Sequence, residues 1–92
     1  MYYAYKTSFD RSFKQFLPAE RRQIQIACDT LFAYLEKRSA LLPQGLGLKR
    51  IGHDYWEIRV GLKLRILFAI SRDCVTFYFV GNHDQIHRFV RG

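Results

Sequence analysis

Tyr55–Ile70, reading YWEIRVGLKLRILFAI, alternates apolar and polar positions on both sides of Gly61. A period of two marks paired, half-buried strands, because successive side chains of an extended backbone point to opposite faces. Before the glycine, Trp56, Ile58 and Val60 share one face, while Tyr55, Glu57 and Arg59 share the other. After it, Leu64, Ile66, Phe68 and Ile70 fall together, with Lys63, Arg65, Leu67 and Ala69 opposite. Cross-strand partners share a face, so the apolar sets select the register. A two-residue turn would set Arg59 against Leu64 and bury a charge. The connection Gly61-Leu62-Lys63 instead sets Val60 against Leu64, Ile58 against Ile66 and Trp56 against Phe68, and we take this register. It also sets Arg59 directly against Arg65. Facing like charges cost stability. Such a conflict is expected where a function needs the charge, the alternative being a solvated face on a basic protein.

The rest of the chain supplies partners for this hairpin. Met1–Lys6, with tyrosines at 2, 3 and 5, suits a first strand. Thr7 followed by Asp10 reads as a weak capping box opening a short helix, with Phe9, Phe13, Phe16 and Leu17 as its apolar stripe. Pro18 is placed to start a second helix, whose stripe of Ile24, Ala27, Cys28, Leu31 and Leu35 runs to about Lys37. Arg21, Arg22, Gln25 and Asp29 form its polar face, and with Lys37 and Arg38 the basic ones read as a solvated surface. Ser39–Leu48 is a loop punctuated by Pro43, Gly45 and Gly47, expected to pack on the domain edge. Leu48–Ile51 is a short strand, and Gly52-His53-Asp54 turns the chain into the hairpin, which makes His53 a turn residue. After Ser71-Arg72-Asp73, Cys74–Gly81 alternates again. Pairing Ile70 with Val75 places Phe68 beside Phe77, Ile66 beside Phe79, Arg65 beside Val80 and Lys63 beside Asn82. The last residues, Asn82–Arg91, form a short helix or tail.

An α+β architecture results: an N-terminal strand, an antiparallel helix hairpin packed on an antiparallel sheet (β-α-α-β-β-β, the short Leu48–Ile51 strand preceding the meander), and a C-terminal appendage. The 92 residues suffice for one domain, residues 1–92. A hydrophobic fraction of 49%, with eight Phe and six Tyr, sets aside a disordered chain. The net charge of +7 points to a polyanionic partner. No apolar run approaches the roughly 20 residues of a membrane span, and MYYAYKTSF lacks the basic and apolar regions of a signal peptide. Cys28 and Cys74, far apart and outside any C-x-x-C motif, read as reduced thiols, so the expected compartment is the cytoplasm.

One sheet face is apolar and faces the helices. The other gathers Arg59, Lys63, Arg65, Tyr78 and Asn82, with His83 and His87 just beyond. Arginines suit the nonbridging oxygens of a phosphodiester, and imidazoles move protons near neutral pH. Lys49 and Arg50 add two further cations ahead of the hairpin, and Arg50 can pair with Glu57 across the strands. Tyr78 offers sheet surface or, when exposed, a stacking platform. His83 and His87 stand four apart, a metal-ligand spacing on a helix. Zinc takes at least three protein ligands, however, and no third is placed by sequence, so no metal and no cofactor are expected. No Ser-His-Asp order, glycine-rich phosphate loop or paired-carboxylate motif is present.

The helix hairpin, Leu48-Lys49-Arg50, Trp56-Glu57-Ile58-Arg59-Val60-Gly61 running into Arg65-Ile66-Leu67-Phe68, and the closing Gly81-Asn82-His83-Asp84-Gln85-Ile86-His87 together resemble the RelE/ParE superfamily. These are small basic toxins of type II toxin–antitoxin pairs. The closing Gly-x-His is similar to the RelE, HigB and YafQ-like branch more than to ParE. That branch implies metal-independent mRNA cleavage, usually at the ribosome, and restraint by a cognate antitoxin in a hetero-oligomer. By the same resemblance, Arg59 and Arg65 fall at phosphate-binding and transition-state-stabilising positions and His83 at a proton-transfer position. His87 stands where related sequences often carry tyrosine and joins His83 as a catalytic candidate, while Lys49, Arg50, Lys63, Tyr78 and Asn82 are the candidate RNA-binding residues. Two other functions compete: ParE-like, non-enzymatic inhibition of DNA gyrase, and an idle module that keeps only the antitoxin-binding surface.

Overall fold

The computed structural model describes residues 1–36 and 45–92. The expectations for Lys37, Arg38 and the first part of the loop, residues 39–44, lie outside them. The described elements are β1 (Tyr2–Tyr5), α1 (Thr7–Lys14), α2 (Pro18–Leu35), β2 (Lys49–Ile51), β3 (Tyr55–Val60), β4 (Leu64–Ser71), β5 (Cys74–Asn82) and α3 (His83–Arg91). The sheet order is β1-β5-β4-β3-β2. Strands β2 to β5 form an antiparallel meander, and β1 adds parallel to β5.

The β3–β4 register is the one the apolar alternation selects: Val60 faces Leu64, Ile58 faces Ile66, Trp56 faces Phe68 and Arg59 faces Arg65. Against the apolar face, α1 packs on β5 and α2 on β3. Ile24 and Leu31 of α2 meet Ile58, Ile66, Phe68, Val75 and Phe77 in a core closed to solvent. Full burial of each such side chain stabilises the fold by about 1.5–3 kcal/mol.

Pro18 is the first residue of α2, and Glu20 Oε1 accepts from the Leu17 N–H at 3.0 Å. Helix α1 departs from expectation. Its cap is Lys6, without a side-chain cap bond, so the Thr7–Asp10 box does not form. It also ends at Lys14, which leaves Leu17 69% exposed and outside the stripe. Its buried serine has a different task. Strand β1 covers β5 only from Cys74 to Phe77. Beyond that point α1 serves the bare edge: Ser8 Oγ donates to Tyr78 O at 2.5 Å, and Ser12 Oγ accepts from Val80 N at 3.1 Å while donating to Phe9 O at 2.9 Å. Buried backbone groups need such partners.

The β4–β5 pairing also differs from the alternation. Ile70–Val75 and Phe68–Phe77 pair as expected, but a bulge interrupts the ladder at Leu67/Phe68. Leu67 faces Phe79, Ile66 faces Val80, Arg65 faces Gly81 and Leu64 faces Asn82, in place of the expected Ile66–Phe79, Arg65–Val80 and Lys63–Asn82. Tyr78 is the extra residue. A bulge of this kind inserts one residue on one strand and re-aims the side chains beyond it. Val80 thereby enters the main core, and Phe79 turns to the opposite face.

That opposite face is not bare. Helix α3 lies on β4 and β5, and Leu67 and Ile86 are fully buried apart from the main core cluster. Phe79 stacks on Phe89 at 5.2 Å between ring centres, Tyr78 lies 6.4 Å from Phe89, and Tyr78 meets Tyr55 edge-on at 5.3 Å. A small aromatic core therefore pins the C-terminal helix to the sheet.

Candidate active site

Strands β3 and β4 bring Arg59 and Arg65 opposite each other, and Arg65 lies beside Gly81 of β5. Directly after Asn82, β5 becomes α3 at His83. The backbone positions of the two arginines and the first histidine are thus neighbours at one end of the sheet.

The two arginines have different surroundings. Arg65 Nε lies 3.0 Å from Glu57 Oε2, and its Nη1 donates to Leu64 O at 3.2 Å. Glu57 is only 6% exposed. Without a cation beside it, a carboxylate so buried would be strongly unfavourable. Arg59 turns elsewhere. Its stem passes over Gly47, where a Cβ would lie 2.8 Å from its Cγ and Cδ, and its backbone N–H donates to Leu46 O at 2.7 Å. Gly47 also has φ +61°, a region open chiefly to glycine. Arg59 is exposed, lines a shallow groove with Gln23, Thr30 and Leu46, and has no ion-pair partner among the described residues.

The imidazoles of His83 and His87 are both exposed, one turn apart on α3, with ring centres 4.2 Å apart. Their helix starts firmly because Asn82 caps it: Asn82 Oδ1 accepts from Gln85 N and Gln85 Oε1 accepts from Asn82 N, both at 2.9 Å. Asn82, a candidate RNA-binding residue, thus has its carboxamide oxygen engaged in the cap. Tyr78 is half-buried in the aromatic core. Lys49 stands opposite Glu57 in the β2–β3 register, on the candidate face, and Lys63 is exposed in the hairpin turn.

Arg50 is a correction. It faces Trp56 rather than Glu57, which puts it on the other side of the sheet. There its guanidinium lies 5.9 Å from the Trp56 ring centre and donates to His53 O at 2.7 Å. Glu57 pairs with Arg65 instead. Sequence reasoning misses Glu57 and Gly47 as the residues that orient the two arginines, although alternation already places Glu57 on their face.

Burial, with a smaller contribution from Asp29, pushes the Cys28 thiol up to about 12, so this core cysteine stays protonated and is no nucleophile at neutral pH. Burial likewise raises Tyr5. Both cysteines are free. Among the described residues, no group of three or more His, Cys, Asp or Glu is placed to hold a metal, and no helix is long and apolar enough to cross a membrane.

No family model matches the sequence, and no curated protein matches it. Solved structures do. The RelB-RelE antitoxin-toxin complex from Methanococcus jannaschii aligns over 94% of this chain and 96% of its own, at 22% identity and TM-score 0.69. YafQ from E. coli aligns over 91% and 94%, at 14% identity and TM-score 0.67. The YoeB/ParE toxin from Agrobacterium tumefaciens aligns over 90% and 99%, at 16% identity and TM-score 0.64. Over 90–94% of its length the chain shares the fold of these toxin structures.

Proposed function

We propose that this chain is the toxin of a type II toxin–antitoxin pair and acts as an mRNA endoribonuclease, at the ribosome, until an antitoxin restrains it. The proposal rests above all on one arrangement: two opposed arginines, one of them exposed and unpaired among the described residues, beside the start of a helix bearing two exposed imidazoles. The toxin role draws support from antitoxin–toxin complexes among the structures of the same fold.

In the reaction, the ribose 2′-hydroxyl attacks its neighbouring phosphorus. One imidazole of the His83–His87 pair takes the hydroxyl proton. Arg59, exposed to solvent, meets the nonbridging oxygens, and Arg65 stabilises the negative charge that builds on the phosphorane. The second imidazole returns a proton to the departing 5′-oxygen. Glu57 fixes the plane of the Arg65 guanidinium through Nε, and Lys49 and Lys63 add positive potential that draws the RNA backbone in. The antitoxin is a segment that folds on binding and covers this basic surface.

Induced expression followed by primer extension on a cellular message tests the proposal. Growth arrest with discrete new 5′ ends supports it. Arrest with intact messages and altered plasmid supercoiling would instead indicate gyrase inhibition, and unimpaired growth would indicate an idle module.

A further inference from the structure

The rings of His83 and His87 already stand 4.2 Å apart at an interplanar angle of 51°, exposed on one face of α3. A metal about 2.0–2.1 Å from each ring nitrogen lies about 3.2 Å from each ring centre. Ligands at right angles then have centres about 4.5 Å apart, and tetrahedral ligands about 5.2 Å apart. The observed spacing is nearer the first, the geometry that tetragonal Cu²⁺ or Ni²⁺ prefers over structural zinc. The helix is also rigidly started by the reciprocal Asn82–Gln85 cap and pinned by Ile86, which is fully buried between the two histidines. Little ordering is left for a metal to impose.

We propose that His83 and His87 form a two-point chelate for an exchangeable first-row dication of tetragonal preference, Cu²⁺ or Ni²⁺, with water in its other positions. Each neutral imidazole gives one ring-nitrogen lone pair, and two waters leave the metal as the two nitrogens bind. The positive end of the helix opposes the cation, and Asp84 in the first turn offsets part of that. Both effects are small beside two metal–nitrogen bonds. Resting on the nuclease function proposed above, the consequence is regulatory: a metal that holds both lone pairs removes the proton acceptor and donor together.

The test is Ni²⁺ binding to the untagged chain by titration calorimetry, with paramagnetic broadening of amide signals to locate the metal. The expected result is one equivalent bound, with broadening centred on α3. Loss of even an outer-shell partner costs about 10–100-fold in metal affinity, so His83→Ala or His87→Ala should weaken binding at least tenfold while His53→Ala leaves it unchanged. No binding by the parent chain, or binding by either α3 variant as tight as the parent's, would overturn the proposal. Binding is read without any activity, so failure of the nuclease proposal leaves this result standing, and failure of the metal site leaves cleavage untouched.

Discussion

Removing either partner of the Glu57–Arg65 pair should destabilise the protein, but by unequal amounts. The carboxylate is the trapped member, with a side chain 8% exposed against 16% for the arginine. In Glu57→Ala the longer Arg65 side chain can swing its head toward water while its stem stays packed, so the loss should be about 1–2 kcal/mol. In Arg65→Ala the short Glu57 side chain remains under the sheet surface with no cation at Nε distance, and the loss should approach about 3–5 kcal/mol. Urea unfolding of both single variants and of the double variant reads these values, and the cycle gives the coupling between the two positions. The double variant should be more stable than Arg65→Ala, because it removes the stranded charge. If Arg65→Ala were as stable as the parent, or Glu57→Ala the worse of the two, the buried-carboxylate account would fail. The same asymmetry warns that lost toxicity in Arg65→Ala mixes catalysis with folding, whereas exposed Arg59 offers a cleaner test.

Other expectations come from single contacts. Ser12→Ala strands the Val80 N–H beyond the end of β1 and should cost about 1–3 kcal/mol, read as a lower urea midpoint. Gly47→Ala should push Arg59 aside, since the new Cβ would lie 2.8 Å from its stem, lowering cleavage by more than the about 1 kcal/mol of left-handed strain explains; equal cleavage would dissociate Gly47 from the site. Gly81→Ala would set a Cβ 2.6 Å from Gln85 Oε1 and 2.8 Å from Phe79, breaking the α3 cap, and hydrogen exchange along α3 should accelerate. Cys28 sets a pH dependence. Above its ordinary value of 9.0 the unfolded thiol ionises while the native one keeps its proton to about 12. The unfolded state then binds fewer protons, so the contribution is whole below pH 9 and is lost as pH rises, by up to about 1.4 kcal/mol per pH unit. The unfolding free energy of Cys28→Ala should lack that part of the alkaline decline.

Much of the arrangement is legible in the sequence because strict alternation leaves little choice. Ile58, Ile66 and Phe68 can share a core only in the register that also opposes Arg59 and Arg65. The bulge at Leu67/Phe68 is not legible, because Val75, Phe77 and Phe79 keep alternating through it, and only the tertiary environment turns Phe79 over to meet Phe89. Pairing Arg50 with Glu57 misplaces it, since Lys49, one residue earlier, holds that register position. Helix α3 carries its own signals, an Asn82–Gln85 box and the apolar Ile86, Phe89 and Val90. Their cover for Leu67 stays hidden as long as the far face is read as wholly solvated.

The most direct measurement of the central claim is the chemistry at the cut. An mRNA carrying one 2′-deoxy nucleotide at a mapped cleavage position is incubated with the chain in a translating extract, beside the all-ribose message and an Arg59→Ala variant. The all-ribose message should be cut to a 2′,3′-cyclic or 3′-phosphate end, with no cut at the deoxy position and a loss on the order of 10²–10³ in rate for Arg59→Ala. Cleavage at the deoxy position, or an undiminished rate without Arg59, would contradict that claim.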